Sequence, residues 1–229
     1  MTGPIRGQRR RGAPSLVLPG DPDGCGWIAG SGHTYTPCGV NAEHQAQDDK
    51  VVRYVGRPTR WGNPTIVKRS SEGNWYVADS QNPDKPHEAF GANAESKRDA
   101  YETAAYDYDF MLGDLDVIDL ARFVAPLVGA DVLSCWCPLG SPCHANALCD
   151  LVGRLRSGVL VPGLVATPDV CGGALRIDGT EWAVAEIASN VSSWLDAGMC
   201  RNDMVLQTAA TYSLDSDLVR LAAQVGGAL

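Results

Sequence analysis

The sequence of 229 residues contains no uninterrupted run of 18 apolar residues, the length that marks a membrane-spanning helix. Its basic first 15 residues resemble the start of a signal peptide, but the apolar stretch SLVLPG that overlaps their end is too short for an h-region. These two absences predict a cytoplasmic protein without membrane contacts. In that compartment the eight cysteines are expected to be thiols or metal ligands rather than disulfides.

Positive charge is also scarce, since 19 basic residues face 27 acidic ones and give a net charge of −8. Such a balance argues against a generic nucleic-acid surface. The one dense basic cluster comprises Arg6, Arg9, Arg10 and Arg11. Because its segment has little hydrophobic periodicity, we expect a flexible, solvated tail there. The hydrophobic content of 45% nevertheless indicates a globular protein with one large domain or two small ones.

The most informative feature is a cluster of three cysteines and a histidine within ten residues: Cys135, Cys137, Cys143 and His144. The preceding residues 130–134 (ADVLS) predict a short buried strand, and residues 145–155 have the apolar spacing of an amphipathic helix. The cluster should therefore occupy a strand-to-helix turn, where α/β proteins place ligands and chemistry.

Three interpretations of this turn remain open. Cys135, Cys137, Cys143 and His144 are candidate ligands of one zinc ion, since thiolate and imidazole are the ligands that zinc prefers. Alternatively, Cys143 lies at the first turn of a helix, where the helix dipole favours a thiolate, and is a candidate nucleophile beside His144. The third interpretation is a purely structural cluster. Trp136, between two of the cysteines, is expected to pack in the core.

The segment 49–158 predicts an α/β domain. Residues 51–55 form a candidate strand, and a turn at 56–64 follows it. A helix capped by Asn93 or Ser96 and a second helix over 117–127 precede the strand and helix of the cysteine turn. Strands separated by helices favour parallel pairing in a small, Rossmann-like sheet. Both turns then leave the same sheet edge, with Arg57, Arg60 and Asn63 near the cysteines.

The segment 1–48 is rich in glycine and proline and has little periodicity. It contains Cys25, His33, Cys38 and His44, two of the four histidines interleaved with cysteines. A zinc ion held by these four residues would order a segment that is too polar to bury a core. The other interpretation is a loop-rich extension that packs on the next domain.

The motifs GRPTRWGNP and CWCPLGSPCH resemble domain of unknown function family 4326, which occurs in bacteria and their phages. The resemblance covers about 100 residues and implies the fold and site of the segment but no reaction; a phage-encoded member would act in the host cytoplasm. Asn146 departs from the acidic residue that relatives tend to carry there, which puts any role of that acid in doubt. The matching residues are Gly56, Arg57, Pro58, Trp61, Gly62, Asn63, Pro64, Arg98, Cys135, Trp136, Cys137, Cys143 and His144.

The segment 165–229 follows a linker at 157–167 and predicts a hairpin at Asp178-Gly179 and three helices near 183–197, 202–211 and 214–225. It resembles domain of unknown function family 433, a helical module of the helix-turn-helix type linked to antitoxins. The usual basic residue after Gly-Thr is Glu181 here. The matching residues are Pro168, Cys171, Gly172, Gly173, Arg176, Ile177, Gly179 and Thr180.

Two functions are compatible with these features. In the first, the central domain binds, and processes if it is an enzyme, a phosphate-bearing small molecule such as a nucleotide. Arg57, Arg60 and Arg98 would hold anionic groups and Asn63 would orient the ligand. In the second, the protein is a regulatory adaptor whose carboxyl-terminal module self-associates or binds a partner protein or DNA. Its three basic and eight acidic residues disfavour DNA, and its many apolar positions predict an exposed apolar patch.

Overall fold

The computed structural model describes residues 3–9, 16–17, 51–86, 94–137, 140–167 and 169–229. The candidate zinc ligands Cys25, His33, Cys38 and His44 lie outside these residues. None of the described helices is both long enough and apolar enough to span a membrane.

A four-stranded sheet forms the centre of the α/β part. Its strands are β1 (Ile5–Arg9), β2 (Leu16–Val17), β3 (Val52–Tyr54) and β6 (Val132–Cys135), in the order β2-β1-β6-β3. Both β1 and β3 pair parallel with β6, which is buried along its whole length, while β2 is antiparallel at the edge. The predicted parallel pairing of the strands before the two turns is thus confirmed.

Strand β1 corrects the expectation of a flexible tail at the amino terminus. The main-chain N–H of Ile5 donates to the carbonyl of Asp131, and the side chain of Arg6 is buried. The Arg6 guanidinium donates to the carbonyl of Ser141 at 2.9 Å and to Oδ1 of Asn146 at 3.2 Å. The basic composition concealed this strand because backbone pairing, rather than an alternating apolar pattern, holds it in the sheet.

An antiparallel hairpin follows the first turn and was not predicted. Strands β4 (Thr65–Arg69) and β5 (Trp75–Asp79) pair with Val67 opposite Val77. The connecting turn uses Gly73 at a φ of 94°, a conformation that glycine adopts without steric cost. Helix α1 (Lys97–Gly113) packs on this hairpin and shares a small core with it through Val77, Ala100 and Ala104.

The helices of the central segment lie close to their predicted positions. Helix α1 (Lys97–Gly113) is capped by Ser96, whose hydroxyl accepts from the N–H of Asp99. Helix α2 (Val117–Val124) continues into a 3₁₀ turn, Ala125–Leu127, and helix α3 (His144–Arg156) follows the cysteine turn. The mixed α/β class is confirmed, whereas the described parallel strands, β1, β6 and β3, do not establish a Rossmann-like sheet.

The three predicted carboxyl-terminal helices are present. Helices α4 (Val184–Asp196), α5 (Arg201–Tyr212) and α6 (Ser216–Val225) follow the short antiparallel strands β7 (Leu164–Val165) and β8 (Arg176–Ile177). Asp178 and Gly179 form the expected turn, after which Ala183 pairs with Arg176. Strand β7 lies within the stretch predicted to be a linker, because two residues are too few to show a strand pattern.

Two compact units account for the tertiary contacts. The α/β unit contains Pro4–Asp114 and Ala130–Asp150, and the helical unit contains Leu115–Gly129 and Leu151–Leu229. This division differs from the expected domain boundary near residues 158–165. Helix α2 belongs to the helical unit, where Arg122 donates to the carbonyl of Leu229 at 2.7 Å and to that of Gln224.

The helical unit buries only part of the apolar side chains that were expected to exceed its core. Leu195 and Leu206 are 46% and 51% exposed, and Trp194, Leu218 and Leu221 are half-buried. Helix α2 and the end of α3 contribute to this core, and neither was counted with the module. Fully or nearly fully buried positions are Val184, Ile187, Val191, Met204 and Val225.

Candidate functional site

The turn after β3 is a compact loop that requires two glycines. The carbonyl of Gly56 accepts from the N–H of Thr59, and the carbonyl of Thr59 accepts from the N–H of Gly62. A Cβ on Gly62 would lie 2.6 Å from the backbone nitrogen of Arg57, and a Cβ on Gly56 would lie 2.4 Å from the hydroxyl of Tyr54. The glycines of the GRPTRWGNP motif therefore allow the chain to fold back on itself.

Asn63 anchors this turn to helix α1. Its amide donates to the carbonyl of Ala104 at 2.7 Å, and its Oδ1 accepts from the N–H of Thr65 at 2.8 Å. Tyr108, which is buried, adds a second anchor because its hydroxyl donates to the carbonyl of Trp61 at 2.8 Å. The contacts of Asn63 are thus with the backbone that shapes the site, which is a positioning role.

A buried polar pair lies beside this anchor. The hydroxyl of Thr65, at the start of β4, donates to the carboxylate of Asp107 on α1. Thr65 is only 6% exposed, so the carboxylate satisfies a hydroxyl that water reaches poorly. Neither residue was singled out from the sequence, because a lone threonine and a helical aspartate carry no local signal.

The cysteine turn brings three thiols together. The Sγ atoms of Cys135, Cys137 and Cys143 all lie within 4.8 Å of one another, and those of Cys135 and Cys143 are 3.1 Å apart. Cys135 ends the buried strand β6 and Cys143 immediately precedes α3, and both are buried, whereas Cys137 is half-buried. Three sulfurs in this arrangement could hold a metal ion.

His144 adjoins the three cysteines but is not part of that close group. Its Nε2 lies 3.0 Å from the carbonyl of Val55, so this nitrogen carries the proton and donates. In the neutral ring Nδ1 is then an acceptor, and it lies 3.7 Å from Sγ of Cys143. The ring of Tyr108 contacts the imidazole edge-on at 5.3 Å, which fixes its orientation.

The three thiols differ in acidity because they contact one another. Hydrogen bonds from Cys135 and Cys143 lower the pKa of Cys137, so its thiolate is the favoured one. Hydrogen bonds with Cys135 and Cys137 raise the pKa of Cys143, and the hydrogen bond with Cys137 raises that of Cys135 to about 11. These directions favour a thiolate at Cys137, and the role of Cys143 as a nucleophile stays a prediction of the sequence.

An open cleft of about 90 Å³ joins the two turns at the carboxyl-terminal edge of β3 and β6. Arg57 lies beside Cys137, and partial burial lowers the pKa of its guanidinium although Cys137 acts in the opposite direction. Trp136 is 50% exposed on the cleft, so its expected packing in the core is not observed. The lining residues are Arg57, Asn63, Thr65, Ile66, Val67, Tyr101, Ala104, Ala105, Trp136, Cys137, Pro142, Cys143 and His144.

Two of the arginines predicted to hold anions lie elsewhere. Arg60 stacks over the ring of Trp61 at 5.0 Å, and Arg98 forms an exposed ion pair with Glu102 on α1 at 2.9 Å. Among the described residues that line the cleft, Arg57 is the cationic side chain. Tyr101 of α1 also lines the cleft.

Comparison with known proteins assigns the central segment to one family. No similar protein was found among curated proteins, and none among solved structures. The family model described as Domain of unknown function (DUF4326) matches residues 40–154, which include both turns. It does not reach the carboxyl-terminal helices, where the resemblance to family 433 stays a prediction. Because this match spans half of the chain, the protein belongs to the DUF4326 family.

Proposed function

We propose that the cleft of the α/β unit binds a phosphate-bearing small molecule such as a nucleotide. One observation supports this proposal most strongly: the turn of Arg57 and the turn of the cysteines line the same open cleft. The carboxyl-terminal edge of parallel strands is where α/β proteins bind ligands.

Arg57 is the candidate anion anchor. Its planar guanidinium can bind two oxygens of a phosphate at once. The contact of its Nη1 with the carbonyl of Asn63, at 3.4 Å, restrains the side chain. A cleft of about 90 Å³ is much smaller than the 300 Å³ or more that usually encloses a whole ligand. The ligand would therefore insert one end and leave the remainder in solvent.

Zinc is the metal that we propose for the cysteine turn, with Cys135, Cys137, Cys143 and His144 as its ligands. Tetrahedral zinc places neighbouring sulfurs about 3.8 Å apart and a sulfur and a nitrogen about 3.6 Å apart. The 3.7 Å between Nδ1 of His144 and Sγ of Cys143 matches that size. The three sulfurs lie within 4.8 Å of one another, and those of Cys135 and Cys143, at 3.1 Å, would have to separate by about 0.7 Å to bind the ion.

The tautomer of His144 supports its role as the fourth ligand. Histidines that bind metals commonly donate their other N–H to a backbone carbonyl or a carboxylate. Nε2 of His144 does so towards Val55, which leaves the Nδ1 lone pair for the ion. A zinc ion with four protein ligands is structural, so it would fix the turn that presents Trp136 and Cys137 to the cleft.

The proposal predicts that phosphate binding depends on Arg57. Calorimetric titration of inorganic phosphate should show at least about tenfold weaker binding to Arg57→Gln, because the charge-assisted hydrogen bonds are lost. The matched control is Arg98→Gln, which removes an arginine that is already paired with Glu102 and should leave the affinity unchanged. Equal affinity of the wild type and Arg57→Gln would contradict the proposal.

The alternative of a DNA-binding adaptor gains no support from the helical unit. Arg176 is engaged within its own turn, donating to the carbonyl of Thr180 at 2.9 Å and to Oγ1 of Thr167 at 3.1 Å. Arg220 contacts Oδ1 of Asn202 at 3.1 Å. Binding of a partner protein by this unit stays a prediction of the sequence.

A further inference from the structure

Trp136 has an environment unlike that of the other described tryptophans. Arg60 stacks on Trp61, Arg69 and Lys97 lie over Trp75, and Tyr212 contacts Trp182 edge-on. The indole N–H of Trp194 donates to Asn190. Within the described part of the chain, no ring, cation or hydrogen-bond partner is found for the side chain of Trp136, which is half exposed. A large apolar ring left in water costs free energy that burial would recover.

The backbone that carries this ring is nevertheless anchored. Its neighbours Cys135 and Cys137 belong to the cysteine cluster, and the sheet pairs Cys135 with Gln8 of β1. The backbone is thus held on both sides of Trp136, and the indole borders the cleft rather than the core. An exposed tryptophan on an anchored backbone is suited to stack on a ligand, since it offers a large flat surface and has only two side-chain torsions to immobilise on binding.

The rest of the cleft matches a ligand with two chemically different ends. Tyr101, Ile66, Val67 and Pro142 give it apolar and aromatic walls, while Arg57 supplies one positive charge. A compact anion such as free phosphate would use Arg57 but would leave these walls in water. A planar ring that carries an anionic group would use both.

We propose that Trp136 is a stacking platform for a heteroaromatic ring, so that the ligand of this site is a nucleobase-bearing phosphate rather than phosphate alone. The anionic half of this inference rests on the proposed function, and the stacking half rests on Trp136. Every base presents a flat π-face, so stacking by itself does not select among the bases. We therefore expect affinity for purine and pyrimidine nucleotides, with purines favoured by their larger stacking area.

Fluorine NMR of protein labelled with 5-fluorotryptophan tests the platform directly. The Trp136→Phe variant identifies the resonance of Trp136 by its disappearance. Titration with adenosine 5′-monophosphate and with adenosine should shift that resonance, whereas inorganic phosphate should shift it much less. The resonance of Trp182, identified with Trp182→Phe, is the control and should not move.

Affinities of variants complete the test. Trp136→Leu should bind adenosine 5′-monophosphate about tenfold or more weakly, since base stacking on an aromatic residue contributes at least that factor. It should bind inorganic phosphate as the wild type does, and Trp136→Phe should recover most of the nucleotide affinity. Trp182→Leu is the matched control, because Trp182 is 36% exposed in the helical unit. This variant should bind both ligands as the wild type does.

The outcomes separate this inference from the proposed function. If Trp136→Leu binds adenosine 5′-monophosphate as tightly as the wild type, the platform is overturned while phosphate binding stands. If adenosine shifts the Trp136 resonance but phosphate does not bind, the platform is supported and the anion site fails. If none of the three probes binds to the wild type, both proposals are overturned.

Discussion

At the scale of single residues, the site depends on side chains whose roles are set by their neighbours. Asn63 and His144 both use polar atoms on backbone carbonyls, Asn63 to hold a turn and His144 to fix its tautomer. Arg57 and Arg98 were both predicted to hold anionic groups, yet of these two described residues only Arg57 lines the cleft. The residue type therefore determines which chemistry a side chain can perform, and its contacts in the fold determine whether the side chain is available to a ligand.

The cluster of Cys135, Cys137 and Cys143 leads to a prediction about the zinc content of the protein. Cys143→Ser should lower the zinc content by about one ion per chain, because a serine hydroxyl is a much poorer zinc ligand than a thiolate. Elemental analysis of the purified protein measures this. Cys200→Ser is the matched control, since Cys200 is an exposed thiol in the helical unit and should leave the zinc content unchanged. A zinc-free wild type, or full occupancy in Cys143→Ser, would refute the metal site.

At the scale of elements, the cleft exists because two tight turns leave neighbouring parallel strands. In the first turn the backbone at Gly62 lies close to that of Arg57. Hydrogen bonds of Asn63 and Tyr108 connect this turn to α1. The second begins at the end of β6 and closes at the start of α3. Since β3 and β6 pair parallel, their carboxyl ends and the two turns that follow lie at the same edge of the sheet.

Gly62→Ala should damage the first turn without altering any polar group. Its Cβ would lie 2.6 Å from the nitrogen and 2.9 Å from the Cα of Arg57, so backbone would have to move. We expect a loss of about 1–3 kcal/mol of unfolding free energy and weaker phosphate binding, as Arg57 is displaced. Urea unfolding and phosphate titration measure the two effects.

Gly113→Ala is the control for this substitution. No atom lies within 4 Å of a Cβ at Gly113, and alanine at a helix end should be neutral or stabilise by up to about 1 kcal/mol. If the two alanine variants were equally stable, close packing at Gly62 would not be what shapes the turn.

At the scale of the whole molecule, chain segments that are distant in sequence complete each unit. Strand β1 lies in the sheet beside β6, and helix α2 packs with α6 in the helical unit. Arg122 joins α2 to the last residues of the chain through the carbonyls of Gln224 and Leu229. The carboxyl-terminal helices therefore do not form their core alone.

Arg122→Leu should destabilise the helical unit by about 1.5–3 kcal/mol, the usual effect of losing hydrogen bonds to a charged donor. Hydrogen exchange should accelerate in α6, which loses its link to α2. Arg154→Leu is the control, because Arg154 is exposed in the same unit and should change neither quantity measurably. Unchanged exchange in α6 of the Arg122 variant would show that apolar packing alone holds this helix.

The sequence by itself determined the features that depend on near neighbours in the chain. Helices α1 and α3 to α6 follow from apolar spacing, and Ser96, one of the two predicted caps, caps α1. The cysteine cluster was visible because its members lie within ten residues. Parallel pairing of β3 and β6 followed from the helices between them, which leave no short hairpin connection.

Only the tertiary structure decided the features that depend on distant residues. The backbone pairing of β1, the hairpin of β4 and β5 and the assignment of α2 to the helical unit have no sufficient local signal. The exposure of Trp136 likewise could not be read from its neighbours, since a tryptophan next to the buried Cys135 was expected to pack in the core with it. Whether a side chain is buried, and whether it lines the cleft, depends on contacts between segments that are far apart in the chain.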